Sequence, residues 1–223
     1  MKIETLRNIF VASLIMFMSG TGIKAANLDV SSLNETIQGA EALNGNNIVK
    51  QIATNFSTGS FTGTADIWLV QLYLNSFSTY NLANLSVRIF TDNAGVPGAA
   101  VGTALTATGS LTTGGVVDFT NIGSPVSLAP STNYWVVIKN TVSTSNTNLN
   151  WAYGYPTSPT VGLNATLGTT QAVNSVGTGW TTFANTAQLV RITNVPEPST
   201  YALGTIGALT IGYVARRRKT AKV

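Results

Sequence analysis

The chain contains no cysteine and no histidine, and charged side chains make up only 9% of its 223 residues. Each absence removes a chemistry. Without cysteine there is no disulfide, no thiol nucleophile and no thiolate metal site. An exported domain of this size can do without disulfides if its core is large enough. Without histidine, Ser-His-Asp and Cys-His catalysis and His-based zinc sites are excluded whatever the fold. What remains for catalysis is carboxylate chemistry, and carboxylates are few.

The formal charge of +4 is misleading, because most basic residues sit at the two ends. Between Asn27 and Val195 the basic residues are Lys50, Arg88, Lys139 and Arg191. Against them stand Asp29, Glu35, Glu41, Asp66, Asp92 and Asp118, which leaves the body at −2. A high overall pI is therefore no argument for a nucleic-acid partner, and none is expected.

Residues 1–26 read as a secretory signal peptide. Lys2 and Arg7 form the basic region, Ile9 to Met18 the apolar core, and small residues lead to a cleavage near Ala25 or Ala26. Residues 27–194 form the body, with room for one domain. Residues 195–223 form a tail with its own logic. It opens on Val195, Pro196, Glu197 and Pro198, runs without charge from Ser199 to Ala215, and ends on Arg216, Arg217, Arg218 and Lys219. The two prolines lack amide donors and push their predecessors toward extended backbone, so an exposed, protease-accessible elbow is expected there. About 17 uncharged residues at roughly 1.5 Å each give about 25 Å, a single transmembrane helix at the short end. Arginine or lysine at a bilayer centre costs about 2.5–3.5 kcal/mol, so the basic run ends the span and stays cytoplasmic.

This order of motif, span and basic cluster resembles the PEP-CTERM sorting signal of exported bacterial proteins. The resemblance implies processing near the motif by an exosortase, a membrane-embedded cysteine protease. It further implies an inner-membrane-anchored precursor and then release or transfer to the cell surface or a biofilm matrix. Its expected partners are the secretion machinery and exosortase, with the membrane held by the C-terminal helix before processing.

The body is rich in Thr, Ser, Asn and Gly, with no heptads and few helix formers. Runs of β-branched and aromatic residues recur between turn-forming clusters, the all-β pattern. Strands are expected over residues 28–37, 48–56, 65–74, 85–91, 104–108, 116–122, 126–128, 134–139, 149–153 and 188–193. Residues 39–47 read as a loop or short helix, and Asp92 to Gly98 as a loop dense with turn formers. The spacing suggests a two-sheet, jelly-roll-like sandwich.

Four stretches then fall in order: Phe56 to Ser60, Ile89 to Gly98, Leu128 to Trp135, and Asn150 to Tyr153. Together they resemble the choice-of-anchor R domain of bacterial surface proteins, over about residues 47–195. That resemblance implies fold and location, and no catalytic residues are assigned to the family.

A glycosidase needs two carboxylates at about 5–10 Å, and Asp66, Asp92 and Asp118 are the candidates. Asp92 in its turn most simply caps its own backbone. No catalytic residue, cofactor or resident metal is expected, with Asp92 and Asn93 the one weak calcium candidate. The aromatics offer a second resource. Trp68 and Trp135 lie in apolar runs and are expected in the core. Trp151, Tyr153 and Tyr155 alternate and would share a face if extended; with Trp180 they are the candidates for stacking on a sugar. The expected role is a non-enzymatic exported surface or matrix protein. Carbohydrate binding through exposed aromatics is one alternative. Self-assembly by strand pairing is another, with residues 28–37 the segment free to be donated.

Overall fold

The computed structural model describes residues 28–45, 48–121, 123–142, 149–155, 160–161, 165–175 and 177–194. The expected signal peptide, transmembrane helix, sorting tetrad and basic stop lie outside the described residues. Among those described, no helix is long and apolar enough to cross a membrane.

Every regular element described is a strand, apart from one 3-10 turn at Leu82–Asn84 that Asn81 caps through its side-chain oxygen. In chain order the first strands are β1 (Asp29–Ser31), β2 (Gly39–Ala42), β3 (Asn44–Gly45), β4 (Ile48–Ser57), β5 (Ala65–Ile67) and β6 (Leu69–Ser76). Then come β7 (Tyr80–Asn81), β8 (Leu85–Asn93), β9 (Val96–Leu105), β10 (Ser110–Leu111), β11 (Gly115–Thr120), β12 (Val126–Leu128) and β13 (Asn133–Asn140). The last are β14 (Leu149–Gly154), β15 (Thr160–Val161), β16 (Thr166–Ser175), β17 (Trp180–Ala184), β18 (Ala187–Gln188) and β19 (Val190–Thr193).

Two antiparallel sheets carry the molecule in a sandwich-like arrangement. The first runs β15-β1-β19-β6-β14-β18, with β11 on the far edge of β6 and β2 on the far edge of β14. The second runs β17-β16-β4-β13-β8-β9, with β3 on β4. In β6 buried and half-exposed side chains alternate from end to end, as one face of a strand against a core demands. Val70, Leu72 and Leu74 of β6 meet Ile52, Phe56, Val87, Ile89, Val136 and Ile138 of the second sheet in one continuous core. Each such side chain contributes about 1.5–3 kcal/mol by leaving water.

Near the chain's last strand the first sheet changes partners. β18 pairs with β14 and β19 with β6. Leu189 between them serves both: its amide donates to Ala152 O (2.8 Å), and its carbonyl accepts from the Tyr73 amide (3.2 Å). Beneath it, Gln188 donates to the carbonyls of Ala152 (3.0 Å) and Trp151 (3.1 Å) and accepts from Gln171 Nε2 (3.1 Å), once its amide is oriented to face those carbonyls. Two buried glutamines thus satisfy one another between the sheets.

Several expectations are corrected. Residues 39–47 hold strands β2 and β3 rather than a loop or helix. The stretch from Asp92 to Gly98 is a two-residue hairpin. Ala94 (φ 53°) and Gly95 (φ 84°) supply the two positive φ values of the turn that best matches strand twist. Strands β16 and β17 were not expected, and β9 only at its last two residues, Ala104 and Leu105. The run over 65–74 breaks at Trp68, which is half-exposed rather than core. Residues 28–37 are not free for donation: Val30 pairs with Ile192 and is fully buried beside Leu28. Arg191 locks this edge with a two-pronged pair to Asp29 (2.9 and 3.0 Å). The hydrogen bond to Asp29 raises the Arg191 pKa, against partial desolvation.

Candidate functional site

The four aromatics do not share one solvent face. Trp151 is wholly buried, and its indole N–H donates to Leu189 O (2.9 Å). Tyr153 is half-buried with its ring across β2, so close to Gly39 that a Cβ there would stand 2.4 Å from the phenol oxygen. Tyr155 is exposed at 52%. Trp180 belongs elsewhere, on the second sheet.

The three aspartates likewise stand apart, on three different sheets. Asp66 in β5 accepts from Ser127 Oγ of β12 (2.5 Å), and Asp118 in β11 accepts from Gln71 Nε2 of β6 (2.8 Å). Asp92 accepts the Gly95 amide (3.2 Å) on one oxygen and the Trp135 indole N–H (2.7 Å) on the other. The expected turn cap is therefore present, and a second bond ties the hairpin to β13. Both Asp92 oxygens thus accept an N–H donor, and Asn93 points to the opposite face of the strand. Among the described residues no group of three or more acidic side chains could hold a metal.

What the fold does assemble is the outward face of the second sheet. The register sets Arg88 opposite Val137 and Phe90 opposite Trp135 on β8 and β13. It continues through Val137 opposite Ala53 and Ala53 opposite Ala172. Ala53, Trp135, Val137 and Ala172 form a second buried cluster, with Phe90 and Trp180 packed against it. Trp135 is only 1% exposed although it points away from the main core. The edge strands β9 and β17 come within 8 Å between Cα atoms.

A second row runs beside that cluster: Ser86, Lys139, Gln51, Asn174 and Trp180, one residue from each of five adjacent strands. At strand spacings near 4.8 Å the row is roughly 19 Å long. Its β8 end opens into a groove of about 340 Å³ lined by Arg88, Lys139, Gln51, Ser86, Phe90 and neighbours. Of the body's four basic residues, Lys50 pairs with Glu41 (3.3 Å) and Arg191 with Asp29 (2.9 Å). Arg88 and Lys139 have no ion-pair partner among the described residues, and both are exposed. Asn174 Oδ1, further along the row, is buried with no hydrogen-bond partner among them.

Sequence reasoning missed this face because it depends on register between β16, β4, β13 and β8. The signal in the sequence is the strand expected over 85–91, in which Ser86 and Arg88 alternate with Leu85, Val87 and Ile89.

At the opposite sheet the body ends on Asn194, whose amide donates to Leu28 O (3.1 Å). The first and last described residues are thus adjacent. Residues 194–219 match the PEP-CTERM protein-sorting motif. The motif implies an exported protein whose membrane-associated precursor is processed by exosortase on its way to the cell surface. No curated protein matches the chain.

Proposed function

We propose that this is a non-enzymatic protein of the cell surface or extracellular matrix: a sheet-built body delivered by the secretory route, anchored through its tail, then released by exosortase. The observation that carries this reading is the sorting motif beginning on the body's last described hydrogen-bonded residue, Asn194. The non-enzymatic reading is supported by the missing histidine and cysteine and by the separation of Asp66, Asp92 and Asp118, each engaged in its own hydrogen bond. We read the body as a choice-of-anchor R type domain; the stretches that carry the resemblance fall on β4, the β8–β9 hairpin, β12 with β13, and β14.

The test is replacement of Pro196, Glu197 and Pro198 by alanine in the exporting cell. The expected result is a heavier, membrane-retained precursor and little or none of the short surface form. An unchanged yield of the short form would overturn the reading.

A further inference from the structure

We propose that the grooved outer face of the second sheet binds an acidic polysaccharide, with Arg88 and Lys139 gripping carboxylates on sugar rings that extend along the row toward Trp180. The proposal deepens the surface-or-matrix reading and rests on it for the ligand's availability.

Three features select this ligand class. First, Arg88 and Lys139 are diagonal neighbours on adjacent strands, where two like charges repel one another. Among the described residues no carboxylate forms an ion pair with either of them; the ion pairs are Lys50 with Glu41 and Arg191 with Asp29. An anionic ligand would relieve the repulsion and gain charge-assisted hydrogen bonds. Second, the rest of the row is neutral and polar. Ser86, Gln51 and Asn174 suit hydroxyls, and half-buried Trp180 offers a ring to a sugar face. Third, two cations on a body of net charge −2 cannot offset a dense polyanion such as duplex DNA, which carries one charge per roughly 1.7 Å. A chain with one carboxylate on each ring or two presents charge at a spacing that two cations can match.

The experiment is binding of the full-length chain, in detergent micelles, to polygalacturonate, neutral dextran and duplex DNA at low and moderate salt. Polygalacturonate should bind, dextran should bind far more weakly, and DNA should not compete. The Arg88→Gln/Lys139→Gln double variant should lose affinity for polygalacturonate about tenfold per cation removed, the scale of a charge-assisted hydrogen bond. The charge-preserving Arg88→Lys/Lys139→Arg variant should retain most of it. Lys50→Gln, which removes a cation already paired with Glu41 outside the groove, should change nothing. Equal binding of dextran, preference for DNA, or undiminished polygalacturonate binding by the glutamine variant would each overturn the proposal. Because binding is read on isolated protein, failure here leaves the sorting reading standing. Failure of sorting in cells would in turn not alter these affinities.

Discussion

Trp151→Ala is expected to lower the unfolding free energy by about 3–5 kcal/mol, the usual cost of deleting a large aromatic from a core. The side chain is fully buried, and its indole N–H is tied to Leu189 O, the residue at which the first sheet passes from β14 to β6. Removing it opens a cavity and loosens that crossing. The Leu189 carbonyl still keeps the Tyr73 amide, so the loss comes mainly from volume. Trp151→Phe separates the two effects: it keeps much of the ring and should cost nearer 1 kcal/mol from the lost hydrogen bond plus a small void. Tyr155→Ala, at an exposed site, should stay within about 0.5 kcal/mol. Urea unfolding followed by fluorescence checks all three, with the midpoint falling and the slope unchanged. A Trp151→Ala protein as stable as wild type would mean that the ring is outside, where a sugar-stacking role would place it.

Trp135→Ala should cost a similar 3–5 kcal/mol for a different reason. Trp135 roofs Ala53 and Ala172 on the outward face, and its indole N–H is one of the two donors to Asp92. The carboxylate's other oxygen holds the Gly95 amide, so Asp92 joins the β8–β9 turn to β13. Asp92→Ala should cost about 1.5–3 kcal/mol, the range for hydrogen bonds to a charged group. Combining Asp92→Ala with Trp135→Phe should cost less than the sum by about 1 kcal/mol or more, since either change alone breaks the shared bond. Strict additivity would show that the pair is not coupled. A calcium chelator should leave the melting temperature unchanged, because among the described residues Asp92 stands without the further carboxylates that a calcium site gathers.

The sequence made some elements legible and hid others, and the division has physical causes. β8 could be read because its apolar residues alternate, Leu85, Val87 and Ile89, and β13 because Tyr134 to Ile138 form one continuous apolar run. β9 could not. Pro97 and Gly98 read as loop, yet β9 is an edge strand, where a missing amide donor is tolerated. β16 was hidden because its buried residues, Leu167, Gln171, Ala172 and Val173, keep no two-residue alternation across its bulge, and Gln171 finds its partner in Gln188, distant in sequence. For β14, alternation put Trp151 and Tyr153 on one face, with Tyr155 beyond, but gave no sign which face was inside. The answer lies with Leu189, 38 residues away. The groove was invisible for the same reason, since Arg88 and Lys139 become neighbours only through the β8–β13 register. The sorting tail was legible because its message is local, carried by consecutive residues.

The account's central claim is that both apolar ends are transport segments and that the working protein is the sheet-built middle. Intact mass measurement of the protein recovered from the cell surface or medium tests this most directly. The predicted species begins near Asn27 and ends near the Val195 to Pro198 motif. Recovery of a water-soluble chain running from Met1 to Val223 would contradict it.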